Sequence, residues 1–316
     1  MSDSAAYAVV VSEPLDDQAL EFLAGRADVV RTTPEDVLEV IGRADGLCVR
    51  TYTRVDGALL DAAPRLKVVG RAGVALDNID VPACRQRGVE VVHTPEANTL
   101  AVVDYTMAAI LRMNRRFWPM TGHMSDEVFH ATRKQAFGRF CADATLGIVG
   151  AGRIGSRVGR AAVGLGMTVL YNDILEIDLD YPARAVDKPT LYAQSDIVTI
   201  HVPLTDLTRR MIDAEALAQF KAGSQFINAA RGPCVDYAAL GEALRSGRLS
   251  AATVDCHDPE PPPPDYPLFG LDNVVLTPHT AARVPQAMAN MCMVVRDIVA
   301  VLEGREPKYP AQEGAF

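Results

Sequence analysis

The sequence has one tryptophan, 6% aromatic residues, and six cysteines with no CxxC pair. It also has no low-complexity tract and no repeat at solenoid spacing. The scattered thiols (Cys48, Cys84, Cys141, Cys234, Cys256 and Cys292), most in apolar surroundings, argue against a disulfide framework or a zinc cluster. They are expected to be reduced, mainly buried thiols in a cytoplasmic protein. Positive charge is short as well: 31 Lys and Arg stand against 40 Asp and Glu, for a net charge of -9. That excludes an electrostatic drive toward nucleic acid or an anionic membrane surface. No apolar run approaches the roughly 18 residues of a membrane span. The opening "MSDSAAYAVVVSEP" has no positive segment ahead of its apolar run and meets Glu13 at once, so it reads as a strand and not as a signal peptide.

What is present is an ordinary globular composition, 49% hydrophobic and 22% charged over 316 residues. At about 150 residues per domain that is room for two. Short β-branched runs alternate with helical patterns, the signature of βαβ units on parallel sheets. In the first part, strands are expected at "YAVVVS", "DVVRT", "GLCVRT", "LKVVGRA" and "VEVVHT", with helical spacing in "DDQALEFLAGR" and "DGALLDAA" between them. A long amphipathic segment from Asn98 to about Arg116 leads away from this series. A second series runs through "TLGIVGAG", "MTVLYND", "DIVTIHV", "QFINAA", "AATVD" and "NVVLTP". The last segment, "VPQAMANMCMVVRDIVAVLEG", is helical with no strand after it, and must cover some apolar face, plausibly that of the first domain. The expected division is a discontinuous domain of residues 1–98 plus 285–316 and a second domain of residues 99–284.

The strongest signal is "TLGIVGAGRIGSRVGRAAVGLGMTVLYND". A buried strand ends at Val149, Gly150-x-Gly152-x-x-Gly155 follows, a helix is expected to run to Gly166, and the next strand ends at Asp173. The glycines permit a tight turn, close approach of backbone to a pyrophosphate, and tight helix-on-strand packing, while the helix start offers oriented N–H donors. Asp173 suits the adenosine ribose 2′-hydroxyl. The following "ILEIDLD" has three acids and no arginine, which repels a 2′-phosphate, so NAD is favoured over NADP.

Three later strand ends carry polar groups: "INAARGP" with Arg231, "TVDCHDPEP" with Asp255 and Glu260, and "LTPHTAA" with His279. Ligands of α/β sheets bind at such carboxyl ends. A histidine near its intrinsic pKa of about 6.5 is a natural acid–base. A carboxylate on its other nitrogen raises that pKa and fixes the tautomer, and an arginine fork holds a carboxylate or keto oxygen. Taken singly, each of these residues has a plain structural reading. Together behind a dinucleotide motif they point to hydride transfer on a 2-hydroxy acid.

These motifs, with "LKVVGRAGVALDNID" upstream, closely resemble the D-isomer-specific 2-hydroxyacid dehydrogenases, phosphoglycerate dehydrogenases most of all, from about residue 7 to 305. The resemblance implies an α/β fold of two flavodoxin- or Rossmann-like doubly wound parallel-sheet domains, an active site in the cleft between them, and a homodimer built through the NAD domain. It implies that Arg231 binds the substrate carboxylate and keto oxygen, Glu260 polarises the imidazole, and His279 is the acid–base. Asp255 would contact the nicotinamide side of the cofactor. Arg153 and Ile154 would lie on the pyrophosphate, Val202 and Pro203 near the adenine, and Ala229, Ala230 and Ala282 along the cofactor cleft. The loop Ala72, Gly73 and Val74 would offer N–H groups to the substrate carboxylate, with Val74 also near the cofactor. Arg50, Arg71 and Arg133 match positions that hold a distal phosphate, so the implied substrate is a small anionic hydroxy or keto acid such as 3-phosphoglycerate or a phosphonate counterpart. Glyoxylate or hydroxypyruvate reductase is the alternative activity, and a non-catalytic NAD(H)-sensing corepressor is the alternative class.

The pattern is departed from at Ala75, at Tyr52, in "VVDYT", and at Cys256-His257 in place of a common Val-Phe pair. The chain ends at Phe316, so no small regulatory domain and no feedback by serine through one are expected. No metal site is expected either. Cys256 and His257 are adjacent, point to opposite sides of an extended chain, and find no second ligand pair at suitable spacing.

Overall fold

The computed structural model describes residues 7–115 and 117–312. The residues before Tyr7, which open the "MSDSAAYAVVVSEP" stretch, lie outside the described residues, as do Arg116 and the end at Phe316. The chain divides into two compact units, the described parts of Met1–Thr99 with Ala282–Phe316, and Leu100–Ala281.

The first unit is built on five strands, β1 (Ala8–Val11), β2 (Asp28–Arg31), β3 (Gly46–Val49), β4 (Val68–Arg71) and β5 (Glu90–His93). All pair in parallel in the order β2-β1-β3-β4-β5. Valines 9, 10, 68 and 69 are fully buried because helices cover both faces of a parallel sheet. The C-terminal segment supplies one of those covers. It forms two helices, Pro285–Cys292 and Val295–Leu302, broken at Met293–Val294, where one continuous helix was expected. Ile298 lies so close to the sheet that a Cβ on Gly70 would stand 2.5 Å from it. One expectation needs correcting here. Pro285–Leu302 is long and apolar enough to cross a membrane by length and composition, with mean hydropathy 1.2 over 18 residues. Its apolarity is spent on the sheet, since Val294, Val295, Ile298, Val299 and Leu302 sit in the core with Val9, Val11 and Val68.

The second unit carries seven strands: β6 (Thr145–Val149), β7 (Thr168–Asn172), β8 (Arg184–Ala185), β9 (Ile197–Ile200), β10 (Ser224–Asn228), β11 (Leu249–Val254) and β12 (Val274–Leu276). Their order is β12-β11-β10-β9-β6-β7-β8, all parallel. The two-residue edge strand β8 is exposed and too short to have left a sequence pattern. Succession reverses between β6 and β9, and a doubly wound sheet opens its ligand crevice at that switch point. The long segment after Asn98 forms the helix Thr99–Asn114, whose Val103, Ala109 and Ile110 pack with Leu146 and Ile148 of β6.

Candidate active site

β6 delivers the chain to the switch point, where the backbone must turn sharply. Gly150 has φ +90, and a Cβ there would lie 2.6 Å from the His201 carbonyl and 2.8 Å from Val202 Cγ1. A Cβ on Gly155 would lie 2.0 Å from the Gly150 carbonyl oxygen, so this glycine sets the packing of the helix Gly155–Gly164 on its strand. Gly152 has open space where its Cβ would project. That opening is room for a pyrophosphate to approach backbone. The helix start agrees. Aspartates 16, 56, 80, 187, 213 and 236 and Ser125 cap other helices with their side chains, whereas Ile154, at the N-cap here, offers none. First-turn N–H groups left without a side-chain cap suit an anionic ligand.

Asp173, just past β7, accepts from the Ala151 N–H at 2.8 Å and from the Leu175 N–H at 3.0 Å, so its carboxylate stands beside the glycine turn. Of the three acids that follow, Asp180 is paired with Arg160. On the other side of the switch point, Val202 presses on Gly150, and the Pro203 carbonyl is held by the Thr208 hydroxyl at 2.7 Å. His201 beside them stays neutral, its pKa pushed down to about 4 by burial. Arg153 is exposed on the loop, and Ala229 and Ala230 are buried just beyond β10.

The turn that presents Arg231 is organised by Asn228, the buried last residue of β10. Its Oδ1 accepts from the Ala230 N–H at 3.0 Å, and its Nδ2 donates to the Arg231 carbonyl and the Tyr237 hydroxyl, both at 3.0 Å. Tyr237 in turn donates to the Cys256 carbonyl, its hydroxyl kept protonated by burial. Gly232 brings the two turns into contact, since a Cβ there would lie 1.7 Å from the His257 carbonyl oxygen. The Arg231 guanidinium donates to the Ala230 carbonyl at 2.6 Å.

Asp255, fully buried just past β11, is a loop anchor. Its Oδ1 accepts from the Thr277 hydroxyl at 2.6 Å and the Thr280 N–H at 2.7 Å, and its Oδ2 accepts from the Ala281 N–H at 2.8 Å. Its carbonyl takes the His279 N–H at 2.8 Å. Those bonds hold His279 in the left-handed region, φ 53, where a non-glycine residue costs on the order of 1–3 kcal/mol. A Tyr105 hydroxyl stands 2.5 Å from Thr277 Oγ1, extending the chain to the helix Thr99–Asn114. A contact between Asp255 and the nicotinamide would come in addition to these bonds.

Glu260 joins two histidines. Its Oε1 accepts from the His257 backbone N–H at 2.8 Å, and its Oε2 faces His279 Nδ1 at 2.9 Å. Burial pushes this carboxyl up, but the His279 bond and the His257 amide outweigh it and hold the pKa low. The His257 ring is buried; Nε2 faces the Thr277 carbonyl at 2.9 Å and so must carry the proton, while Nδ1 accepts from the Tyr266 hydroxyl at 3.0 Å. His257 thereby ties the Glu260 turn to the strand end that leads to His279. Cys256 points the other way: its Sγ donates to the Ala230 carbonyl at 3.4 Å and lies by His279. Cys256 and Glu260 push the imidazole pKa up, to about 10, against the opposing effect of burial. Ligand atoms of Cys256, Glu260 and His279 all lie within 4.8 Å of one another.

The structure therefore gathers Arg231, Asp255, Glu260 and His279 at the ends of β10, β11 and β12. Asn228, Tyr237, Gly232 and Thr277 escaped the sequence reading; His257 stood out only as half of the unexplained Cys256-His257 pair, and Tyr105 only within the unusual "VVDYT".

The remaining candidates belong to other segments. Arg133 is exposed on the helix Asp126–Gln135, which has no buried residue. In the first unit the loop after β4 is held by Thr94, whose N–H donates to the Gly73 carbonyl at 3.0 Å, and by His93 Nδ1, 2.7 Å from the Val74 carbonyl. Ala72 is buried below it, and a Cβ on Gly73 would lie 1.5 Å from Arg71 Nη1. Arg50 donates to the Pro14 carbonyl at 2.9 Å. The Ala282 carbonyl takes the Val284 N–H at 2.9 Å as the last helices begin.

Glu13 shapes the Arg50 loop: its carboxylate accepts from the backbone N–H groups of Arg50, Thr51, Tyr52 and Thr53 at 2.9 to 3.1 Å. Burial alone would raise its pKa, yet these donors bring it below 4.5. The stability it contributes is present above that unfolded value and lost as pH falls through the lower folded one. Glu13→Gln is expected to cost about 1–3 kcal/mol at neutral pH, the scale of bonds to a charged group. Denaturant unfolding of both forms should show the gap narrowing in acid.

A nucleotide loop and a carboxylate-held histidine on one parallel sheet are the equipment of a dinucleotide-dependent dehydrogenase. The family model "D-isomer specific 2-hydroxyacid dehydrogenase, NAD binding domain" matches residues 107–281, and the chain belongs to this family. It is 36% identical over 304 residues to D-3-phosphoglycerate dehydrogenase of Archaeoglobus fulgidus, covering 94% of this chain and 57% of that protein. It is 35% identical over 289 residues to hydroxypyruvate reductase of Thermotoga maritima, covering 90% of this chain and 94% of that one. The chain thus spans little more than half the length of the phosphoglycerate dehydrogenase. Among solved structures, D-lactate dehydrogenase of Aquifex aeolicus, crystallised with NAD and lactic acid, superposes with TM-score 0.80 at 27% identity, covering 94% of this chain and 96% of that one.

Proposed function

We propose that the chain interconverts a D-2-hydroxy acid and its 2-keto acid with NAD, acting on a substrate with a second anionic group. The observation that carries this reading is the Glu260–His279 pair at 2.9 Å, on the sheet that also bears the Gly150–Gly155 loop and Arg231. Bound nicotinamide supplies or accepts the hydride. Arg231 holds the substrate carboxylate and the keto oxygen, whose developing charge its guanidinium stabilises. His279, protonated below its raised pKa, donates its proton to that oxygen during reduction and recovers it during oxidation. Glu260 keeps the imidazole oriented and stabilises its charged form. Asp255 holds the backbone around His279, so the proton donor is in place before substrate arrives.

Arg50 and Arg71 are assigned to the distal anion. Phosphoglycerate, its phosphonate counterpart, and hydroxypyruvate or glyoxylate are the substrates to compare. The hydroxypyruvate reading draws on the similarity to the Thermotoga reductase and on the Arg50 guanidinium being already engaged with Pro14. A panel of phosphorylated, phosphonylated and simple 2-keto acids with NADH decides between them. A higher kcat/KM for glyoxylate or lactate-type substrates than for any phosphorylated or phosphonylated acid overturns the distal-anion assignment. Tight NADH binding with no turnover overturns the enzymatic reading.

A homodimer through the second unit is part of the same proposal. The exposed helix Asp126–Gln135 is flanked by Phe117, Phe137 and Phe140, which are 80%, 83% and 75% exposed. Clustered apolar side chains of this kind mark interaction surfaces. Sedimentation should show a dimer, and Phe137→Glu combined with Phe140→Glu a monomer. Equal masses for both proteins would count against it.

A further inference from the structure

Cys256 is a thiol at the site that carries no proton in the proposed transfer, and its surroundings suggest a further task. Its side chain is buried at the floor of the site, whereas the side chains of His279 and Glu260 are 48% and 39% exposed. One ligand atom from each, sulfur, nitrogen and oxygen, lies within 4.8 Å of the others. Tetrahedral zinc, with bonds of about 2.0–2.3 Å, needs its ligands roughly 3.3–3.8 Å apart. Two exposed side chains moving slightly toward a fixed thiol reach that spacing. Thiolate with imidazole selects zinc and related soft cations over magnesium or calcium. One outer partner is also built: the second oxygen of Glu260 is held by the His257 N–H at 2.8 Å.

We propose that Cys256, Glu260 and His279 form an inhibitory zinc site. Three protein ligands bind the ion and a fourth position is left to water. On binding, the thiol and the protonated imidazole each release a proton to solvent and each give a lone pair to the metal, with no change in oxidation state. His279 can then neither donate nor accept the substrate proton, so the metal blocks catalysis. The blockade rests on the proposed catalytic role of His279; the binding itself does not, and the two are measured separately.

Cobalt(II), added to the protein without substrate or NADH, is expected to give a thiolate-to-metal charge-transfer band in the near ultraviolet at one equivalent. Zinc should displace it. Cys256→Val should abolish the band and weaken zinc binding by calorimetry more than about 100-fold, beyond the loss typical of an outer partner. Cys141→Ser, which alters the cysteine that is not buried, should leave both intact. Should Cys256→Val fail to fold, as judged by NADH binding, Glu260→Gln is to weaken zinc and His279→Ala to shift the cobalt spectrum. Zinc is then expected to inhibit keto-acid reduction, and a chelator to restore it. Absence of the band, its persistence in Cys256→Val, or its dependence on Cys141 overturns the site, and binding without inhibition overturns the blockade. If no keto acid is turned over while the band appears, the functional reading fails and the metal site stands.

Discussion

His279→Ala is expected to lower kcat by about 10²-fold or more in both directions, the usual scale for losing a general acid–base, with NADH affinity little changed. The imidazole stands on the β12 side of the sheet, whereas the glycine turn that fits the dinucleotide follows β6. The truncation therefore removes the proton carrier without disturbing Gly150, Gly152 or Asp173. The backbone at residue 279 is fixed by Asp255, not by the histidine ring. Alanine must still occupy φ 53, so a modest loss of stability should accompany the kinetic one. Steady-state kinetics with NADH fluorescence titration separates the two, and a variant that retains kcat would remove His279 from its role.

The second large effect concerns pH. With the imidazole pKa pushed up to about 10 by Cys256 and Glu260, the protonated acid needed for reduction is present throughout the neutral range. Reduction is expected to stay level until pH nears that value and then fall. Oxidation needs the neutral ring and should rise over the same interval. Glu260→Gln removes the negative charge and leaves Cys256, so both limbs should move down toward the ordinary histidine value of 6.5. At neutral pH the variant loses reduction rate and gains in the fraction of ring able to accept a proton. The sign follows from which form Glu260 favours: a carboxylate stabilises imidazolium, and its loss releases the proton at lower pH. Profiles of kcat/KM in both directions test this, and unchanged limbs would break the pairing.

The inner parallel strands were legible because they are short apolar runs buried within their sheets, and the nucleotide loop because its glycines answer separate steric demands. Arg231, Glu260 and His279 were found as polar residues where strands should end. What stayed hidden depends on contacts between distant segments. Asn228 reads as an unremarkable strand residue until its bonds to Ala230, Arg231 and Tyr237 are seen. His257 was noticed only as a departure, because nothing local indicates that its ring reaches Tyr266 and Thr277. Glu13 was read merely as the end of an apolar run, though its partners lie 37 to 40 positions away. The break at Met293–Val294 interrupts a helical pattern that continues in sequence through both halves.

The bonds to Asp255 have a kinetic meaning as well. A proton donor carried on a mobile lid must be recruited in each turnover, and lid motion then limits the rate. Here the segment bearing His279 is stapled to a carboxylate just past the end of β11, with Thr277, Thr280 and Ala281 all bonded to it. On the proposed reading the acid is thus fixed within its own unit, and a rearrangement that limits turnover is expected in other segments.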